Sequence, residues 1–377
     1  MPASSSEARS AYLDQSVVAY LLYGVGAVTA FLAVVLSLSD AVAALHSSLL
    51  AVGLLVAGLT GDRIDARLGS RSAHRMAYLL LAIASVCLAT APALVVTLAG
   101  AAMVGLGAGL LLARINRTLS RGGGSLARVR MSRSALIAML AVLAVPIAIG
   151  IGEGSGLGWQ LVFVGAVVLL ATGILASREQ RELRVHSVDE AGRLTRHYWL
   201  AWWLVVLAVS VEFSIVFWAS TLVERQVGIT LAEATLVAAG FYAGMALTRA
   251  GLSFHVAGGR DPIRLMRMGL AVALLGSLLA WTSQSVLLAG LGIFLGGIGT
   301  GFLYPLGITI ALALAPGLQH RGSARLVLAS GIAILAAPLL LGLSADLTSV
   351  SAAWLLVPVL CLGGLALSVP VSRSRAP

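Results

Sequence analysis

Residues 205–220 read VVLAVSVEFSIVFWAS, and one of their side chains, Glu212, can carry a full negative charge. The chemistry open to a lone carboxyl in an apolar run is proton transfer. Such a group is neutral when dry and ionised when wet, so a change in its hydration loads or unloads a proton. His46, in LHSSLL, is the second titratable group expected well inside an apolar run. A Glu212–His46 contact is one arrangement open to the pair. Four aromatics, Tyr20, Tyr23, Trp218 and Tyr304 beside Pro305, offer stacking area with a polar handle for a small solute. Cys87 and Cys361 show no metal-ligand spacing, so neither metal nor cofactor is expected. GGIGTG and GIGEGSGLG resemble phosphate-cradling loops only on the surface, because neither follows a strand. No nucleotide-binding lysine motif occurs, and an enzyme is not expected.

The elements that must carry these residues follow from composition. Of 377 residues, 59% are hydrophobic and 11% charged, where a soluble domain carries roughly a quarter charged. About 20 apolar residues cross the hydrocarbon as a helix. Such runs fall near 14–37, 41–60, 74–91, 94–114, 134–152, 158–176, 198–222, 229–250, 266–283, 285–312, 325–344 and 351–371. They are continuous rather than alternating, which excludes barrel strands. The expected fold is an all-α integral membrane protein with twelve transmembrane helices. On that layout Glu212 lies about 21 Å beyond Tyr198 at 1.5 Å per residue, past the midplane of a layer about 30 Å thick. An ionised carboxylate there costs at least roughly 2.5 kcal/mol. A cation, water or a proton must offset that. Every arginine maps to a loop or helix end. Arg114 and Arg249 come nearest, at ends where they can snorkel.

The net charge of +10 is carried by arginine without any lysine. Arginines crowd segments 61–75, 115–133 and 178–197, then 260–267, residue 321 and the C-terminus; Arg225 is the exception between them. This positive-inside pattern puts both termini in the cytoplasm of a multi-pass protein of the cytoplasmic membrane. Charge divided among short loops argues against a nucleic-acid surface. MPASSSEARS lacks a basic start and cleavage site, so the first helix is expected to stay.

The chain also repeats itself. LAGAAMVGLGAG in the fourth run is matched by LAGLGIFLGGIGTG in the tenth, and Pro146 and Pro338 recur at the same offset as Gly107 and Gly299. The proline positions are expected to bend their helices. The expected organisation is a tail over 1–13, a six-helix bundle over 14–177, a cytoplasmic linker over 178–197, a second bundle over 198–371 and a tail over 372–377. Two related bundles that rock about a midplane site are a transporter plan.

With GLTGDRIDARLGSR between the second and third runs, this layout resembles the major facilitator superfamily (MFS) over nearly its whole length, and bacterial permeases of unassigned substrate in particular. The family has Asp where Ala66 stands, and Asp62 and Asp65 flank it. The resemblance implies a fold of two pseudo-symmetric six-helix bundles. It implies a cytoplasmic gate of Gly61, Asp62, Asp65, Arg67, Gly69 and Arg71, and a cavity lined by helices 1, 4, 7 and 10. Features of the drug–proton antiporters are absent: Ala101 replaces their arginine, and Val145 precedes Pro146. The resulting expectation is a monomeric secondary transporter in the lipid bilayer. It moves a small solute by alternating access, coupled to protons through Glu212 and His46, with efflux set ahead of uptake. The alternatives are an uptake permease or facilitator of a neutral or weakly ionic metabolite, and a non-transporting sensor on a permease scaffold.

Overall fold

The computed structural model describes residues 5–121, 124–176, 192–257 and 261–373, and among them every regular element is helical. A helix satisfies its own backbone polar groups, which apolar surroundings require. The chain divides into two compact units, Met1–Leu38 with Leu45–His186 and Ser39–Ala44 with Ser187–Pro377. The linker segment 178–191 lies outside the described residues.

The first unit is built from α1 (Ser5–Val35), α2 (Asp40–Leu68) from Leu45 onward, α3 (Ser70–Thr90), α4 (Leu94–Ser120), α5 (Gly124–Ser155) and α6 (Leu161–Ala176). The second holds α7 (Arg196–Val227), α8 (Leu231–Ala257), α9 (Pro262–Thr282), α10 (Val286–Ala313), α11 (Gln319–Leu347), α12 (Val350–Ala353) and α13 (Leu356–Arg373). Eleven spans among the described residues are long and apolar enough to cross a membrane, with α12 and α13 read together as one. Apolar α6 is shorter, at 16 residues.

α1 and α7 differ from the other spans in being buried all round, 89% and 83% of their apolar windows. A helix apolar on every side belongs inside a bundle. The remaining long spans bury at most about half and turn apolar side chains such as Val95, Leu247 and Leu287 outward. An outward apolar face fits contact with lipid.

The two units repeat one packing plan. A Cβ on Gly105 of α4 would stand 1.9 Å from the Leu50 carbonyl oxygen of α2. One on Gly297 of α10 would stand 2.0 Å from the Phe241 carbonyl oxygen of α8. Gly107 likewise meets Ala77 of α3, and Gly299 meets Gly269 and Ala273 of α9. The glycines that recur in the sequence therefore make the same close helix contacts in both units, where small residues let backbones approach.

Helix ends run beyond the apolar segments. α1 begins at Ser5 rather than residue 14, and the expected loops 61–75 and 115–133 are largely helix. Hydropathy marks where an apolar run stops. The helix continues where polar side chains find partners: Arg117 of α4 bonds Asp62 of α2 at 3.1 Å and also Asp65. α2 stops at Gly69, whose φ of 77° is a left-handed conformation suited to glycine.

Candidate functional site

Glu212 is buried in α7, 4% exposed. Capping and anchoring fix the helix that carries it. Thr195 accepts the Tyr198 N–H at 3.2 Å as N-cap. Farther along, Tyr198 Oη donates to the Gly322 carbonyl at 2.7 Å and Trp202 Nε1 to the Arg325 carbonyl at 2.7 Å, tying α7 to α11. On the other side of Glu212, Trp218 Nε1 donates to the Pro338 carbonyl at 3.1 Å.

The carboxylate faces a cation. Arg249 of α8 places an NH2 nitrogen 3.6 Å from Glu212 Oε1, and the two side chains are 11% and 5% exposed. The sequence had put Arg249 at a helix end, free to snorkel; the structure overturns that. α8 runs on to Ala257, past the expected end at 250, so Arg249 lies within the helix, alongside α7. Tyr242 of α8 and Tyr304 of α10 lie within electrostatic reach of Glu212, and Ser330 of α11 lies beside Tyr304. Beside Glu212 on α7, the Ser214 hydroxyl is buried without a hydrogen bond among the described residues. Side chains from α7, α8 and α10 of the second unit thus converge on one buried ion pair.

The other expected site residues lie as follows. His46 is fully buried in α2, with Nε2 2.9 Å from Thr97 Oγ1 of α4. Thr97 spends its own proton on the Leu94 carbonyl at 2.9 Å, so His46 Nε2 is the donor. His46 belongs to the first unit and Glu212 to the second, and each has a partner within its own unit. Tyr20 Oη donates to the Val162 carbonyl of α6 at 2.7 Å, and Tyr23 is buried on the same helix. Pro146 and Pro338 sit inside α5 and α11, which continue through them. Gly61, Asp62, Asp65 and Arg67 are on α2, Gly69 joins it to α3, and Arg71 lies in the first turn of α3. Arg225, the exception to the arginine pattern, bonds both carboxylate oxygens of Asp40 at 2.6 and 2.8 Å.

A further buried cluster gathers around Asp14. Asp14 of α1 is 1% exposed. Its Oδ1 receives Tyr78 Oη at 2.8 Å and lies 3.0 Å from His74 Nε2, both on α3. Arg114 of α4, expected to snorkel, is instead turned inward and 7% exposed, with Nε 3.8 Å from Asp14 Oδ2 and NH1 bonded to Ser70 Oγ at 3.1 Å. Carboxylate and hydroxyl offset the cost of drying the guanidinium. His74, too, is buried inside a span. The signal was present as His74 and Tyr78 four residues apart, on one helix face.

No protein-family model matches the chain, and no curated protein does. Solved structures do. A bacterial homologue of the human lysosomal transporter Spinster, inward-facing and occupied, is 16% identical, with 97% of this chain and 96% of that one covered and a TM-score of 0.74. The inward-facing, unoccupied form of a bacterial Spinster homologue gives 15%, 98%, 96% and 0.73. A variant of the nucleoside transporter NupG gives 13%, 98%, 99% and 0.75. All three are transporters, and this chain shares their fold along almost its whole length.

Proposed function

We propose that the chain is an MFS secondary transporter that moves a small solute across the cytoplasmic membrane by alternating access, coupled to protons. α6 makes the twelfth crossing, the two six-helix bundles are related by pseudo-symmetry, and both termini stand on the arginine-rich, cytoplasmic side. The observation that carries the reading is the Glu212–Arg249 pair, buried between helices of the second unit in a chain with a transporter fold. A sensor scaffold has no need of a titratable pair at that depth, where charge is costly.

The pair changes how coupling works. While Glu212 is ionised, it compensates Arg249. A proton on Glu212 leaves the guanidinium uncompensated in a dry place, which is costly unless water or an anionic group reaches it. Proton binding therefore favours either a hydrated conformation or a solute with a weakly anionic group at Arg249. Tyr304, within reach of the same pair, is the aromatic best placed to touch that solute. Tyr20 and Trp218 commit their polar atoms to backbone carbonyls, so they contribute stacking surface. The direction of the cycle follows the gradients, with export set ahead of import.

The test begins with metabolite and toxin profiles of cells with and without the protein. Flux of the strongest hit is then followed in proteoliposomes at several pH values. Glu212→Gln is expected to abolish accumulation driven by a proton gradient while leaving gradient-free exchange intact. Gradient-driven accumulation that survives the substitution removes Glu212 from coupling. Solute binding without flux in the wild-type protein favours the sensor.

A further inference from the structure

We propose that the start of α7 forms a binding site for an anionic phospholipid, with the phosphate held by Arg196 and Arg325 and the acyl chains laid along Trp199 and Trp203. The site concerns the bilayer rather than the solute, so it stands apart from the reading above. α7 is buried along most of its length, yet Trp199 and Trp203 are 40% and 52% exposed. With the exposed Arg196 they fall at i, i+3 and i+7, on one stripe of the helix. That stripe looks out of the unit. On the opposite side of α7, Ala201, Leu204, Val205 and Ala208 are buried, and Val205 faces Gly307 of α10. Tyr198 and Trp202 bind one flank to α11, and the Leu207 side chain lies against Gly363 of α13 on the other. The exposed indoles therefore stand between α11 and α13, facing the lipid.

Both indoles keep a donor to spend. Trp202, Trp218 and Trp354 each give their ring N–H to a backbone carbonyl. The ring N–H groups of Trp199 and Trp203 make no hydrogen bond among the described residues. The two rings instead pack edge-on against Trp202, with centroids 5.7 and 5.0 Å away, which holds them in place. A fixed apolar ring with a free N–H suits the level where acyl chains meet ester carbonyls.

Charge selects the headgroup. Arg196 and Arg325 are exposed, and among the described residues neither meets a carboxylate within ion-pair distance. Arg325 lies within electrostatic reach of Tyr198, which puts its guanidinium at the same end of α7. The segment leading into the helix is pinned as well, because Arg321 donates to the Gly192 carbonyl at 2.9 Å. At this end of the second unit Asp261 is the carboxylate among the described residues, and it is engaged by the Ile263 N–H at 3.2 Å. Asp40, Glu224, Glu233 and Asp346 belong to the opposite end, around Arg225 and the start of α8. The face is thus cationic without a counter-charge of its own. A phosphodiester supplies one, and each guanidinium offers paired N–H donors that match its oxygens. A zwitterionic lipid brings a cation to the same place and gains less.

Native mass spectrometry of the purified full chain, released from nanodiscs of phosphatidylcholine and phosphatidylglycerol in equal parts, tests the proposal. The wild-type protein is expected to retain phosphatidylglycerol in preference to phosphatidylcholine. Arg196→Gln and Arg325→Gln should each weaken that retention about fivefold. Arg264→Gln, which removes an exposed arginine of α9 at the same end, should leave it nearly unchanged. Bromine-labelled phosphatidylglycerol should quench tryptophan fluorescence more than bromine-labelled phosphatidylcholine at the same mole fraction. That excess should vanish when Trp199→Leu and Trp203→Leu are combined. All of these side chains are exposed, so the substitutions leave the packing in place. Equal retention of the two lipids by the wild-type protein overturns the proposal. So does an Arg264→Gln effect as large as that of Arg196→Gln, which reduces the contact to general attraction. Displacement of the lipid by excess inorganic phosphate also overturns it, leaving an anion site with no place for the chains. None of these measurements reads proton-driven flux, so failure of the Glu212 reading leaves their outcome untouched.

Discussion

At the scale of residues, the buried carboxylates Glu212 and Asp14 come paired. Glu212 has Arg249, and Asp14 has Arg114 with His74. Removing one member of a buried pair leaves the other uncompensated, at a cost of about 3–5 kcal/mol, whereas replacing both with apolar or neutral groups is often close to neutral. Arg249→Met is therefore expected to lower the thermal-inactivation midpoint clearly at neutral pH. Glu212→Gln with Arg249→Met should restore most of that loss. An Arg249→Met protein as heat-stable as wild type would mean that the carboxylate never depends on its cation. The sequence displayed Glu212 because it interrupts an apolar run. It did not display Arg249 as a partner, because that depends on where α8 ends and on its register against α7. Asp14 stayed hidden because it opens a run, where charge looks like an ordinary helix terminus.

At the scale of elements, glycine contacts hold α4 and α10 against their neighbours. The Cβ that Gly105 or Gly297 lacks would fall on a backbone carbonyl of the facing helix. Backbone cannot swing aside as a flexible side chain can, so the helices themselves must part. Gly105→Val and Gly297→Val should each cost about 3 kcal/mol, the upper end for overpacking a core, seen as aggregation or an early thermal midpoint in size-exclusion and unfolding assays. Gly154→Ala, with open space around its missing Cβ, should be close to neutral. Equal stability of all three variants would remove the close contacts from the account of the fold. This part was legible in advance: the glycines recur at one spacing in both halves of the sequence, and the structure gives them equivalent contacts in the two units.

At the scale of the whole molecule, the arginine distribution predicts sidedness. In a background of Cys87→Ser and Cys361→Ser, Leu157→Cys on the α5–α6 connection should react with an impermeant maleimide added to intact cells. Arg193→Cys, ahead of α7, should react only after the membrane is opened. Labelling of both from outside would break the twelve-crossing layout, and with it the role given to α6. Composition and periodicity alone determined a helical membrane protein, its internal repeat and its expected orientation, because lipid imposes length, apolarity and self-satisfied hydrogen bonds on each span separately. Which polar groups meet inside was decided only by tertiary structure. Ion pairs between α7 and α8, or among α1, α3 and α4, depend on helix rotation and register, and no single span encodes either.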